Sequence, residues 1–499
     1  MCVPPTKDFE AQEAQPADKD ASSEGVTVTT DVYAVVEKSP GQFYCGKMPV
    51  DPKQGFKGKE LQLLSFARPH MRSFHFSWMS FFSAFVCWFA FAPLMPIVKA
   101  SLGMSLKQVF AVNIASVAST VSARFVVGPL VDRVGPRKCQ TVLLVWAAIM
   151  TLLGASVTTI WGLGLVRFMI GFAGATFVVT QSWTTGLFVS EIVGTANATA
   201  GGWGNLGGGV TYQLMLGTYV GFLRILPAED AWRASFVVPA SITLFIAITM
   251  FLMADDGPRG DLQKLQASGV VEKKAISQSM RKGFLNYNSW VLGVQYGCCF
   301  GVELHMTNIG GVYFSNRKSF DLGVVDGGLC ASLFGYMNLF CRSCGGATSD
   351  FLAKHYGMRG RMIAQWLMLM GVGVMMVIFG TRVSIHAAIA SLIVFSAFVQ
   401  SAEGSTFGIV PFVHPEYVGG VSAVVGAWGN IGAMFWGLLF LNVYAEDGME
   451  GLALGFQMMG YIIMCAAQTV FLLRIDGHSH MTGTCEKVVD TTAKEIEDI

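Results

Sequence analysis

Twelve long apolar segments constrain the fold of this chain more than any other feature of its 499 residues. Each contains about 18 to 25 mostly apolar residues, the length that an α-helix needs to cross roughly 30 Å of hydrocarbon. Lipid offers the backbone no hydrogen-bond partner, so every segment that crosses it is predicted to be helical. The predicted spans are residues 75–98, 107–131, 140–159, 161–188, 196–222, 233–253, 290–314, 327–349, 361–380, 385–412, 418–443 and 452–473.

The composition also predicts an all-α membrane protein. Hydrophobic residues make up 53% of the chain and charged residues only 13%, too little charge to cover the surface of a soluble protein. The net charge of +1 provides no basic surface for nucleic acid. Cysteines and histidines show no metal-ligand spacing, and the sequence has no nucleophile elbow or phosphate loop. We therefore expect no metal, no cofactor and no enzyme activity.

A long polar stretch divides the twelve spans into six and six. Lysine and arginine are concentrated in this stretch, before the first span and after spans two and eight. Because positive loops stay in the cytoplasm, both termini are predicted to be cytoplasmic. The predicted organisation is a largely disordered N-terminal tail, a first six-helix half, a central loop, a second six-helix half and a C-terminal tail, at residues 1–72, 73–253, 254–289, 290–474 and 475–499.

Three short motifs occur once in each half and in the same order. Spans two and eight carry Arg-x3-Gly-x3-Asp, spans four and ten carry Gly-x-Thr-Phe, and spans five and eleven carry Trp-Gly-Asn-x-Gly. Two duplicated halves, related by an axis along the membrane normal with a site between them, are typical of alternating-access transporters. The paired copies begin at Arg124 and Arg342, at Gly174 and Gly404, and at Trp203 and Trp428.

Two arginines in these motifs indicate what the central site binds. Burying an arginine at the centre of a span costs about 2.5–3.5 kcal/mol, so Arg124 and Arg342 need compensating partners. The repeat predicts that they face each other across the cavity, where an anion between them removes their repulsion. The planar guanidinium fork suits a planar oxyanion. The alternative is that each arginine bonds to carbonyl groups of neighbouring helices or extends to the membrane surface.

Several segments resemble a known family. Gly128–Lys138, after span two, is similar to the loop signature of the major facilitator superfamily. Residues 202–207 and 426–432 resemble the paired nitrate signatures of the nitrate/nitrite porter family. Residues 296–304 and 403–412 resemble the eukaryotic high-affinity nitrate transporter branch of that family. With the arginines of spans two and eight, the resemblance extends over nearly all of the chain outside its tails.

The resemblance implies proton-coupled nitrate uptake through the plasma membrane, with nitrite as a second substrate. Some relatives also need a small single-span accessory protein. The resemblance further implies that two arginines hold the nitrate, two phenylalanines sandwich it, and an asparagine and a tyrosine orient hydrogen bonds. These residues are Arg124 and Arg342, Phe177 and Phe407, and Asn205 and Tyr296.

The repeated segments allow further contributions and a simpler interpretation. Glycine-rich helices pack closely, so Trp203 and Asn430 in spans five and eleven can reach neighbouring helices and are added to the candidate substrate-binding residues. Ordinary helix packing is the alternative role for Phe177 and Phe407, because the chain has 37 phenylalanines. Their matching context in the two halves favours the substrate role.

Energetics predicts that uptake of an anion needs protons. Moving one negative charge into a cell against about 100 mV costs roughly 2.3 kcal/mol, so one proton per nitrate only neutralises the charge and two drive uptake inward. Glu303, Glu403 and His305 are the candidate titratable groups. The alternative is a buried acid that pairs with an arginine such as Arg167 or lines a hydrated vestibule. Arg167 itself has two open roles, proton coupling and bonding between helices.

Charged residues at the predicted cytoplasmic helix ends are candidates for gating. Charge pairs and helix-terminus bonds there can lock an outward-facing state and break when it opens. Control of topology by positive charge is a simpler role, and the two are compatible. The candidates are Asp132, Arg133, Arg137, Asp350 and Arg359, with Arg361 beside them.

Two other functions remain open from the sequence. One is exchange of nitrate against nitrite without protons, and the other is a nitrate receptor without net flux. Net accumulation with inward current indicates symport, flux without current indicates exchange, and the absence of both indicates a receptor.

Overall fold

The computed structural model describes residues 48–269, 276–317, 319–444 and 448–484. The rest of the predicted tails and a short part of the predicted central loop lie outside the described residues. The described chain is mostly helical, with two short β-hairpins near its ends.

The helices of the predicted first half follow the apolar segments closely. Spans one, four and six are each divided by a short irregular or 3-10 segment, whereas spans two and five are single long helices. The helices are α1 (His70–Phe89), α2 (Phe91–Ser101), α3 (Leu106–Val134), α4 (Pro136–Leu153), α5 (Ile160–Ile170), α6 (Thr176–Leu187), α7 (Val193–Phe222), α8 (Ala228–Ala234) and α9 (Val237–Met253).

The central loop contributes two helices, and the predicted second half contributes the remainder. Spans seven and eight are each broken near their middle, by Cys298–Cys299 and by a 3-10 turn at Met337–Leu339. The helices are α10 (Leu262–Ala267), α11 (Ile276–Leu285), α12 (Tyr287–Gly297), α13 (Phe300–Asn316), α14 (Val324–Tyr336), α15 (Cys341–Tyr356), α16 (Met358–Gly380), α17 (Ile385–Val413), α18 (Val418–Leu439) and α19 (Gly448–Ala467).

Nine helical segments of the described chain are long and apolar enough to cross a membrane. They correspond to all of the predicted spans except five, seven and eight. Spans seven and eight are divided into shorter helices, and α7 is continuous but rich in glycine and polar residues. Helices therefore occur at all twelve predicted positions, and membrane crossing by these three stays a prediction.

The two predicted halves meet along glycine-lined helix faces. Helix α3 packs along α18, and α7 packs along α15. A Cβ atom added to Gly128 would lie 2.4 Å from the Cβ atom of Ala423, and one added to Gly335 would lie 2.6 Å from the Cα atom of Gly209. Larger side chains at these positions would separate the helices, so glycine allows the close packing that membrane helices use.

The chain next to each tail is ordered in part. Strands β1 (Val50–Asp51) and β2 (Lys57–Gly58) form one hairpin, and β3 (Ser479–His480) and β4 (Gly483–Thr484) form the other. The Val189 N–H donates to the Gly58 carbonyl at 3.1 Å, which joins the first hairpin to the end of the predicted fourth span. Residues 48–72 of the predicted N-terminal tail therefore contain this hairpin and the start of α1, and residues 1–47 lie outside the described residues.

Candidate functional site

The structure places Arg124 of α3 and Arg342 of α15 near the same aromatic ring. Both side chains are fully buried. Their guanidinium carbons lie 5.0 Å and 5.4 Å from the ring centre of Phe177, which α6 contributes. Neither arginine extends to the surface, so that part of the alternative is excluded for this structure. The other part, bonding to carbonyl groups of neighbouring helices, is observed for Arg124.

Arg124 is held without a carboxylate. Its Nε donates to the Gly174 carbonyl at 3.1 Å, its Nη1 donates to the Gly426 carbonyl, and its Nη2 has no hydrogen-bond partner among the described residues. Its guanidinium also lies 5.0 Å from the Phe300 ring. Carbonyl dipoles and ring faces stabilise the cation, but its charge is not neutralised by any ion pair of the described chain.

Arg342 is neutralised by two acids. Its Nη1 forms a salt bridge with Glu403 of α17 and lies 4.0 Å from an oxygen of Glu303. Its Nη2 donates to the Tyr296 hydroxyl at 3.1 Å. The two acids therefore lie at an arginine, as the alternative to proton coupling had supposed, but this arginine is Arg342 and not Arg167.

Two amide side chains complete the environment of the acids. Asn205 Nδ2 of α7 donates to Glu303 at 2.7 Å and to Glu403 at 3.2 Å. Asn338, in the break of span eight, donates to the other Glu303 oxygen at 2.7 Å. Asn338 was not among the predicted site residues, although a lone asparagine within an apolar span is a signal that could have identified it.

The predicted aromatic sandwich is not formed in this structure. Phe177 and Phe407 meet edge to face, with ring centres 4.9 Å apart and planes at 88°. Phe177 instead stacks on Tyr296 and on Phe300, with planes 17° and 16° apart. Phe300 lies in the same segment as Tyr296 but was missed, because no matching position in the first half distinguishes it from the other phenylalanines of the chain. All of these rings are almost completely buried, so the centre of the protein is closed from both sides.

The remaining substrate-binding candidates have different positions. Asn430 donates to the Gly426 carbonyl at 3.2 Å, and this carbonyl also accepts from Arg124. Trp203, in contrast, does not contact this group: its Nε1 donates to the Leu339 carbonyl at 3.0 Å, and its ring packs against Trp78. These contacts place Trp203 beside the break in span eight rather than at the arginines.

Arg167 and His305 lie apart from the two acids. Arg167 Nη2 donates to Asn113 at 2.5 Å and to Asn308 at 3.4 Å. The ring of His305 packs against Phe440 with centres 4.6 Å apart, and its Nε2 has no partner among the described residues. No hydrogen bond of the described chain joins this group to Glu303 or Glu403.

The predicted gating aspartates lie at helix N-termini of the opposite half. Asp350 accepts from the backbone N–H and the hydroxyl of Thr195, at the start of α7, at 2.6 Å each, and from Arg361 at 2.6 Å. Asp132 lies against the start of α18, where a Cβ atom added to Gly419 would lie 2.7 Å from its carboxylate. Asp132 also accepts from Ser279 at 2.5 Å. A carboxylate at a helix N-terminus is favourable, so these contacts join the halves at one end.

Two of the predicted gating arginines bond to neighbouring segments of the described chain. Arg137 pairs with Asp261 at 2.6 Å, and its backbone N–H donates to Asp256 at 3.0 Å. Burial raises the pKa of Asp256. Arg359 donates to the carbonyl of His480 in β3 at 3.0 Å, and Arg133 is exposed. Arg137 and Arg359 therefore hold local segments at this end.

The chemistry of the site is that of ion binding. Among the described residues, no group of three or more histidine, cysteine, aspartate or glutamate side chains could hold a metal ion. The centre combines an unneutralised cation, a cation held by carboxylates, and flat rings. This set can bind a small flat anion and exchange protons, and it offers no activated nucleophile.

Comparison with known proteins identifies a family and several relatives of this chain. The Major Facilitator Superfamily model matches residues 77–437. "High affinity nitrate transporter 2.5" of Arabidopsis thaliana is 39% identical over 79% of this chain and 78% of its own length. "Nitrate transporter 2.1" of Chlamydomonas reinhardtii is 39% identical over 74% of this chain and 68% of its own. The nitrate/nitrite transporter NrtP of Nostoc punctiforme is 26% identical over 83% and 94%.

Solved structures support the fold alone. A bacterial homologue of the human lysosomal transporter Spinster, inward-facing and unoccupied, has a TM-score of 0.57 at 14% identity, with 81% of this chain and 97% of that chain covered. The human organic anion transporter MFSD10 has a TM-score of 0.51 at 14% identity, with 81% and 99% covered. With the sequence matches, these results show that the chain belongs to the Major Facilitator Superfamily, a family of multi-pass membrane transporters, and to its nitrate/nitrite porter branch.

Proposed function

We propose that this protein is a high-affinity nitrate transporter that takes up nitrate together with protons by alternating access. The observation that carries the proposal is the unequal pair of central arginines. Arg124 has a free Nη2 and no carboxylate partner in the described chain, so it attracts an anion. The names of relatives with 38–39% identity support nitrate as this anion.

Glu403 explains how protons can be coupled to nitrate. Its carboxylate occupies the place at Arg342 that a second oxyanion would take. A proton on Glu403 neutralises it and frees the Arg342 fork, and nitrate then bridges the two arginines. Nitrate brings one negative charge and the proton removes one, so the charge of the site is unchanged. The step therefore avoids an uncompensated buried charge, which is costly.

A second proton makes uptake inwardly driven. Glu303 lies 4.0 Å from Arg342 and shares the Asn205 amide with Glu403. The two acids can therefore take up protons together. Two protons with one nitrate carry a net positive charge inward, which the membrane potential favours. His305 has no hydrogen bond to either acid within the described chain and is the weaker candidate.

We propose the predicted topology with this function. Twelve spans, six in residues 73–253 and six in residues 290–474, cross the plasma membrane, and both tails and the central loop face the cytoplasm. The excess of lysine and arginine in these segments supports the orientation. Under this topology Asp132 and Asp350 hold the halves together on the cytoplasmic side.

The lipid-facing helices leave room for the single-span accessory partner that the resemblance implies. Helix α9 exposes Phe245, Ile248 and Leu252, which suit lipid or another apolar helix. Co-expression with such a protein should raise the amount of transporter at the cell surface without changing its affinity for nitrate. An affinity change at constant surface amount would contradict this role.

Charge movement per nitrate tests the proposed function. The protein is expressed in oocytes under voltage clamp, and the uptake of labelled nitrate is measured together with current at pH 5.5 and 7.5. Symport predicts accumulation with inward current at the lower pH. Nitrite-dependent flux without current would instead indicate exchange, and binding without flux or current would indicate a receptor.

A further inference from the structure

We propose a second anion site, about 10 Å from the central one and on its extracellular side, at which nitrate is loaded before it reaches Arg124. The inference rests on the proposed function for the identity of the anion. The site is built around Arg167 and a small cavity, and it is called the outer site below. Its residues are Arg167, Asn113, Asn308 and His305.

Arg167 is a buried cation without an acid. It is 1% exposed, and the described chain contains no carboxylate within ion-pair distance of it. Its Nη2 donates to the oxygens of Asn113 and Asn308, and its guanidinium carbon lies 5.8 Å from the ring centre of Phe91. Its Nε and Nη1 have no hydrogen-bond partner among the described residues. A buried arginine with two unused donor atoms is expensive in a membrane, so a ligand at those donors would stabilise it.

A cavity adjoins this cation. It is lined by Asn113, Val117, His305, Asn308 and Ala433, among others, and so by both amides that hold Arg167. His305 is 4% exposed, and its Nε2 has no partner in the described chain. An unpartnered imidazole nitrogen thus lies at a cavity whose two amide side chains also hold the underused guanidinium. Both can donate hydrogen bonds, and an anion is the ligand that accepts them.

The position of the cavity suits an entry site. Val117 is seven residues from Arg124 along α3, which at 1.5 Å per residue places it about 10 Å away, on the side opposite Asp132. In the proposed topology this side is extracellular. The cavity lies between α3 of the first half and α13 and α18 of the second. Separation of the halves on that side therefore widens it and connects it to the central site.

The present volume fits a closed form of such a site. The cavity measures about 20 Å³, room for a single water molecule and not for nitrate. An outer site of this kind is occupied only while the extracellular side is open and empties as the halves close. Closure thus directs the anion toward Arg124, whose Nη2 is free to receive it.

The internal repeat separates this site from the central one. The repeat offsets place Ala397 opposite Arg167 and Ala331 opposite Asn113, so the second half has no copy of either residue. The arginines of the central site, in contrast, occur in both halves. A cation present in one half only suits a step that occurs on one face of the membrane.

The thermal stability of the purified full-length protein in nitrate and in equal chloride provides the test. A ligand that binds the folded state raises its stability. Arg124→Gln removes the central site and should leave a residual nitrate response, half-saturated at least about tenfold higher. The double variant Arg124→Gln with Arg167→Gln should lose this residual nitrate response. Arg124→Gln with Arg233→Gln is the matched control and should keep it, because Arg233 bonds to Ala155 and Glu229 away from the cavity.

The outcomes separate the two proposals. The outer site is overturned if Arg124→Gln shows no residual response to nitrate. It is also overturned if the residual response persists when Arg167→Gln is added to Arg124→Gln. Neither result contradicts the central site. A wild-type protein without any response to nitrate counts against the proposed function instead. If the Arg167→Gln protein does not fold, His305→Phe replaces it. This change keeps the packing on Phe440 and should weaken the residual response severalfold, whereas an unchanged response would again overturn the outer site.

Uptake kinetics give an independent measurement. Arg167→Gln in an otherwise wild-type chain should raise KM for nitrate about tenfold, with the maximal rate changed less than twofold, because only loading is affected. Arg233→Gln should leave both constants unchanged. A loss of maximal rate with unchanged KM would assign Arg167 to the transport step and contradict a loading site.

Discussion

Arg124 and Arg342 occupy equivalent positions in the two halves, yet their surroundings differ in charge. Arg124 is bound by two carbonyl groups and faces two rings, whereas Arg342 is bound by Glu403 and lies close to Glu303. The duplication has thus kept the position of the cation and changed its neutralisation. In the function that we propose, the first half offers its cation to the substrate, and protons control the availability of the cation in the second half.

Removal of Arg342 should have the largest effect on stability. Arg342→Gln leaves Glu303 and Glu403 buried without a cation, and breaking a buried pair in this way costs about 3–5 kcal/mol. Arg124→Gln leaves no acid behind and should cost clearly less. The midpoint of unfolding of the two purified variants measures the difference.

A double variant serves as the control for this prediction. Arg342→Gln with Glu403→Gln should recover most of the lost stability, because the isolated carboxylate is removed as well. Equal stability of the two single arginine variants would show that the carboxylates do not neutralise Arg342 preferentially.

Replacement of the Arg124 guanidinium in the first half should have the next largest effect, and this effect is on nitrate binding. Arg124→Lys keeps the positive charge and loses the planar fork, so we expect nitrate affinity to fall about 10- to 100-fold with little loss of stability. Uptake at varied nitrate concentrations provides the measurement. Unchanged affinity would remove Arg124 from the substrate site.

Replacement of Glu403, the acid paired with Arg342, should change the pH dependence of nitrate affinity. In the wild type, nitrate affinity should rise about tenfold for each unit by which pH falls through the range where Glu403 titrates, because protonation frees Arg342. In Glu403→Gln this slope should become shallower, because only Glu303 then remains to take up a proton. Glu450→Gln, an exposed acid, is the matched control and should keep the wild-type slope. An unchanged slope in Glu403→Gln would assign proton coupling to another group.

The smallest expected effect concerns Trp203. Trp203→Phe removes the hydrogen bond to the Leu339 carbonyl and should cost about 1 kcal/mol of stability. Its contacts lie away from both arginines, so nitrate affinity should change less than twofold. A tenfold change in nitrate affinity, measured by uptake, would instead show that Trp203 contributes to the substrate site.

The fold could be read from the sequence to a large extent, because apolar length and helix formation are coupled in lipid. The breaks in spans seven and eight could not, since Cys298 and Met337 are ordinary apolar residues whose local geometry depends on neighbouring helices. The repeat also identified both central arginines. It contained the signal for their asymmetry as well, because the offset that relates Phe177 to Phe407 relates Ala173 to Glu403.

The orientation of the central aromatic rings could not be predicted from the sequence. The Gly-x-Thr-Phe motifs predict that Phe177 and Phe407 come from matching positions, and the structure brings their centres within 4.9 Å of each other. Their planes are perpendicular because Phe177 stacks on Tyr296 and Phe300, which the repeat does not encode. Side-chain torsions follow from packing between helices that are distant in sequence.

The break at Cys298–Cys299 has a mechanical consequence. It separates Tyr296, on α12, from Glu303, on α13, so two groups near the same guanidinium belong to different helices. A tilt of α12 alone would withdraw the phenol while α13 kept the carboxyl in place. A hinge at this point would let the second half release its two ligands one after the other, in a fixed order, instead of both at once.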